Sequence, residues 1–135
     1  MANRYLKSRL YTFETDLVKI VGTMTVGATG AVGTVKGMGI ASVTRTGVGA
    51  YTVTLQDSYH MVWGHHIAFG GGTASGIGGV ELVDTQANIK TNIRTNKQIK
   101  IQCYSATTTA ADPANGTTMF FSFLVRNSNI GPQDY

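Results

Sequence analysis

Glycine stands at positions 22, 27, 30 and 33 of the run DLVKIVGTMTVGATGAVGTVK, so no apolar stretch between Leu17 and Lys36 is long enough for a helix. Each glycine inside a helix costs roughly 1 kcal/mol relative to alanine. The residues between the breaks pair as Val18 with Ile20, Met24 with Val26 and Val32 with Val35. That spacing predicts short strands joined by turns. The same punctuation recurs in GGGTASGIGG over 70–79, which reads as a flexible loop or a place of close backbone approach.

Elsewhere the period of two is explicit. Tyr51, Val53 and Leu55 alternate with Thr52, Thr54 and Gln56, which predicts a half-buried strand. The extended run Ile40 to Arg45 precedes it across a turn at Thr46 to Ala50, so the two are expected to pair as an antiparallel hairpin. YHMVWGHHIAF, Tyr59 to Phe69, reads as a strand bulged or broken at Gly64. In KQIKIQCYSA, Ile99, Ile101 and Cys103 face one way. A long turn marked by Asp112-Pro113 and Asn115-Gly116 leads into MFFSFLVRNS, the most hydrophobic run, expected to be a central strand buried on both faces.

With no long helix, these segments predict an all-β fold, a β-sandwich or jelly roll of about 7–9 short antiparallel strands, with the jelly roll ranked first. The 135 residues suit one domain, read as an arm over 1–16, a body over 17–131 and a tail over 132–135. In the arm, Leu6, Leu10 and Phe13 share one face of a short helix, and Tyr5, Leu10 and Tyr11 can tie it to the body.

Composition narrows the functional classes. Only 13% of residues are charged and 42% are hydrophobic, which is not the balance of a disordered chain. The net charge is +4, but the basic residues are scattered, so a nucleic-acid partner is disfavoured. The one basic stretch, Lys90, Arg94, Lys97 and Lys100, would serve such a partner on a folded surface. The single cysteine, Cys103, excludes an intrachain disulfide and reads as a small buried hydrophobe. No run approaches the ~18 to 20 apolar residues of a membrane helix, and no signal segment follows Arg4, Lys7 and Arg9, so synthesis in a cytoplasm and no membrane partner are expected.

Catalytic constellations are not found. The glycine-rich runs lack the Gly-Lys-Ser/Thr ending of a phosphate loop and a following helix. No G-x-S-x-G elbow occurs, and the carboxylates fall mostly at predicted turns or ends. The chain is expected not to be an enzyme and to carry no cofactor. His60, His65 and His66 are the only metal candidates; an extended strand would put His60 and His66 on one face and His65 on the other, so only a bulge or a site shared between subunits would unite them. The aromatic residues Tyr51, Tyr59, Phe69, Tyr104, Phe120, Phe121 and Phe123 are read as core, with Trp63 the one that an irregularity at Gly64 would expose.

The stretch from Gly37 to Asp57, GMGIASVTRTGVGAYTVTLQD, resembles the small β proteins that decorate tailed-bacteriophage heads. The opening strand LVKIVGTMTVGATG, the turn ADPANGTT and the closing strand MFFSFLVRNSNI follow the same order, so the resemblance covers about 17–130. It implies a virion structural protein of the capsid decoration, or cement, kind: a homotrimer on the capsid surface whose partner is the major capsid protein. No catalytic residue carries over. Candidate contacts with capsid or subunit are Arg4, Tyr5, Leu6, Leu10, Tyr11 and Phe13 in the arm and Gly71, Gly72 and Ile77 in the loop. The alternative is a tail or head fibre or spike module in which Trp63, His65 and His66 meet a receptor or glycan.

Overall fold

The computed structural model describes residues 17–106 and 108–127. Eight strands make up most of it: β1 (Leu17–Val26), β2 (Val32–Met38), β3 (Ile40–Gly47), β4 (Ala50–Leu55), β5 (Met61–Gly70), β6 (Gly79–Leu82), β7 (Gln98–Tyr104) and β8 (Thr118–Arg126). They form two four-stranded antiparallel sheets, the first in the order β2-β1-β8-β5 and the second in the order β3-β4-β7-β6.

The fold is therefore a β-sandwich. Its first four strands are two successive hairpins, and the chain passes from one sheet to the other between β2 and β3. Gly39 makes that passage: its φ of 83° is left-handed, which a side chain resists, and the next residue, Ile40, is already in the second sheet and buried. This sequential pairing is not the interleaved pair of Greek keys of a jelly roll, so of the two expected topologies the sandwich is the one realised.

Period-two alternation fills the space between the sheets. From the first sheet come Ile20 and Met24 of β1 and Met119, Phe121, Phe123 and Val125 of β8; the second supplies Tyr51, Val53, Leu55, Ile99, Ile101 and Cys103. The rings of Phe121 and Phe123 stack with centroids 6.1 Å apart. The hairpin expected around Gly47 to Ala50 is β3–β4, with Val43 opposite Val53.

A short helix lies between β6 and β7. α1 (Gln86–Thr91) starts at Thr85, whose side chain accepts a hydrogen bond from the Asn88 N–H at 3.4 Å. A wider helical turn (Asn92–Asn96) continues it, and Lys97 ends it with a φ of 57°. Ile89 and Ile93 are four residues apart, so both point at the sandwich, and Ile93 is completely buried.

Candidate interaction surface

β8 carries apolar residues on both of its faces. Its inward row is core, but its outward row, Phe120, Ser122 and Leu124, lies on the outside of the first sheet. Phe120 and Leu124 are 44% and 38% exposed. Two expectations are thereby corrected: Phe120 is not core, and β8, though central between β1 and β5, is buried on one face only. A two-layer sandwich has no third layer to cover the other side.

The neighbouring strands extend this apolar wall. Val21 lies between Met38 and Ser122; Phe120 lies between Thr23 and Ala68; Leu124 lies between Lys19 and Gly64. Met38 is 71% exposed. The outer side of the second sheet is of another kind, with Thr44 opposite Thr52, Thr52 opposite Lys100, and Gln102 opposite Glu81. There the Tyr104 hydroxyl donates to Glu81 Oε1 at 2.6 Å, so Tyr104, expected in the core, stands on the outer wall with the alternate row of β7. One wall is polar, as a solvated sheet face should be, and the other carries exposed apolar side chains at its centre, with Lys19, Thr23, Lys36, Ser122 and His66 among them.

Where Leu17, Leu124 and His66 meet, the apolar wall sinks into an open trough of about 460 Å³. Gly64 lines it, and a Cβ built there would meet nothing within 4 Å. The trough depends on the bulge in β5: the register shifts between Val62 and Gly64, leaving Trp63 as the extra residue. Trp63 is 40% exposed, as the irregularity predicted.

The three histidines do not converge. His60 precedes β5, where its N–H donates to the Arg126 carbonyl and its own carbonyl accepts from Arg94 Nε at 2.8 Å. Arg94 Nη2 also lies 2.7 Å from His60 Nε2; a guanidinium only donates, so this ring nitrogen is the acceptor. His65 and His66 are exposed farther along β5 and border the trough. Among the described residues, no three His, Cys, Asp or Glu side chains are grouped to hold a metal ion. The basic residues Lys90, Arg94, Lys97 and Lys100 are spread over α1, the turn after it and β7, and Lys100 approaches Asp84 at 4.0 Å.

The arm residues Arg4, Tyr5, Leu6, Leu10, Tyr11 and Phe13, and the tail 132–135, lie outside the described residues. Of the loop candidates, Gly71 and Gly72 are exposed, while Ile77 is half-buried and packs against the core. The loop is tied to the body: the Ser75 carbonyl accepts from Ala114 N–H at 2.9 Å, and Gly78 N–H donates to the Tyr104 carbonyl at 2.8 Å.

A group of perturbed titrating side chains around Asp112 sits away from the apolar wall and secures the β7–β8 connection. The Asp112 carboxylate accepts from Arg45 Nε at 3.0 Å, Arg45 Nη2 at 2.7 Å and Gly49 N–H at 2.7 Å. The guanidinium beside it holds the carboxyl below its usual range, with the Gly49 N–H adding to the effect. Nearby, the buried Tyr51 hydroxyl donates to the Gly30 carbonyl at 2.8 Å; burial, then the Asp112 charge, pushes its pKa up to about 12. The same two causes push the Cys103 thiol up to about 12, so it stays protonated at neutral pH and is a poor nucleophile.

No family model, curated protein or solved structure matches this chain. A functional reading therefore rests on the chemistry of its surfaces. The apolar wall was partly legible in MFFSFLVR, where one alternating row is wholly apolar and the other still holds Phe120 and Leu124; which side was bare depended on the neighbours of β8.

Proposed function

We propose that this chain is a structural assembly protein, a phage virion protein of the capsid-decoration type that forms homotrimers and binds the major capsid protein on the outer surface of the head. The observation that carries the assembly reading is the outward row of β8, whose Phe120 and Leu124 stand exposed in the middle of a sheet whose other face is core. Burying each large apolar side chain is worth roughly 1.5 to 3 kcal/mol, so a wall of this kind stabilises an assembly once protein covers it. The narrower virion reading is supported by the resemblance over 17–130.

Light scattering on the purified chain, followed by co-sedimentation with undecorated phage heads, tests it. A trimer that pellets with heads is the expected result. A folded species that stays in the supernatant refutes decoration. It would favour the receptor- or glycan-binding alternative, which draws on the exposure of Trp63, His65 and His66 along β5 and is read on a glycan array.

A further inference from the structure

The apolar wall needs an occupant, and its charges narrow the choice. Among the described residues its exposed charged groups are Lys19 and Lys36, with no carboxylate beside them; Arg126, at the end of the outward row of β8, is buried. Two copies meeting wall to wall would bring these cations together in a desolvating interface, which disfavours that pairing. An occupant should be apolar along its length and carry carboxylates where it passes Lys19.

Residues 1–16 have this chemistry. MANRYLKSRLYTFETD holds Tyr5, Leu6, Leu10, Tyr11 and Phe13; its two carboxylates, Glu14 and Asp16, are at the end nearest Lys19 in sequence, and its cations, Arg4, Lys7 and Arg9, lie in the part away from that end. The segment joins the body at Leu17, itself part of the trough. Sixteen residues reach about 50 Å when extended, against roughly 15 Å across four strands. The segment contains neither glycine nor proline, although the chain has 17 glycines in all, so the two strongest turn-forming residues are not there to bend it back over its own sheet.

We propose that residues 1–16 of one copy lie across the outward face of the first sheet of a neighbouring copy, with their apolar side chains over Phe120 and Leu124 and their carboxylates beside Lys19. This rests on the assembly reading and names its interface. Each copy gives one segment and receives one, a head-to-tail exchange that closes into a ring when the rotation permits.

Disulfide trapping tests the exchange. Leu10→Cys and Leu124→Cys are made in separate full-length chains, mixed under a thiol–disulfide buffer and run on a non-reducing gel; Cys103 is fully buried and does not compete. A link between the two chains is expected, at about tenfold the yield given by a Thr44→Cys partner on the polar wall, because docking raises the local concentration. Leu6→Cys with Phe120→Cys repeats the measurement should either first variant fold poorly.

A chain carrying both Leu10→Cys and Leu124→Cys that closes only on itself overturns the exchange. So does a Leu124–Leu124 link, or no link above the control. Head binding or trimer formation that persists without the link refutes this interface alone; a chain that is monomeric at every concentration and does not pellet with heads refutes the assembly reading beneath it.

Discussion

Replacing Gly64 with valine should move stability and assembly in opposite directions. A Cβ at this position meets nothing within 4 Å, and Gly64 is not among the residues with a left-handed φ, so the substitution brings neither clash nor strain. Glycine within a strand is worse than alanine by roughly 0.5 to 1 kcal/mol, and valine suits a strand at least as well as alanine. For a chain of this length a gain of that size raises the melting midpoint by about 2 to 5 °C. The new side chain also stands in the trough beside Leu124, which is 38% exposed. Denying a partner that share of a leucine costs about 0.6 to 1.1 kcal/mol per contact, a weakening of roughly three- to sixfold, more if the partner must also shift. Thermal unfolding is measured at a concentration that keeps the chain monomeric, since assembly itself raises the apparent midpoint. Light scattering on a dilution series then reads the association. A Gly64→Val chain that melts higher and assembles as tightly as the parent refutes the claim that the trough is an interface.

Three further outcomes follow from the packing. Tyr51→Phe leaves the buried Gly30 carbonyl without its donor and should cost about 1 to 3 kcal/mol at neutral pH, measured by urea unfolding. Because the Tyr51 pKa rises from 10.0 to about 12 on folding, its contribution is complete below pH 10 and lost as pH climbs toward 12; the variant should lose that part of the alkaline dependence, while Cys103, raised from 9.0 to about 12, keeps its own. Asp112→Ala should destabilise the chain at neutral pH and much less in acid: the carboxyl is held below its ordinary 3.8, so its stabilisation is present above that value and disappears as pH falls through the lower, folded one, a difference seen by comparing acid unfolding curves. Gly49→Ala, at a φ of 67° and with its Cβ 2.6 Å from the Cys103 carbonyl, should cost at least about 2 kcal/mol in urea unfolding, since backbone on that side has no room to yield.

Alternation along single segments already determined much of this protein. Val18 and Ile20, Tyr51 to Leu55, and Ile99 to Cys103 each specify a strand and its buried side, because side chains in a strand point to opposite faces with a period of two. The bulge at Gly64 and the exposure of Trp63 were legible for the same local reason. α1 was not, since its signal is only the Ile89–Ile93 spacing and a threonine cap, spread through a polar stretch.

Tertiary structure decided what local pattern does not encode. Which strands neighbour β8 depends on pairings between segments about a hundred residues apart, such as Leu17 with Arg126, and these turned three separate alternating rows into one apolar wall. MFFSFLVR states that β8 carries large apolar residues on both sides; only the stacking of two sheets, and not three layers, determines that Phe120 and Leu124 face outward.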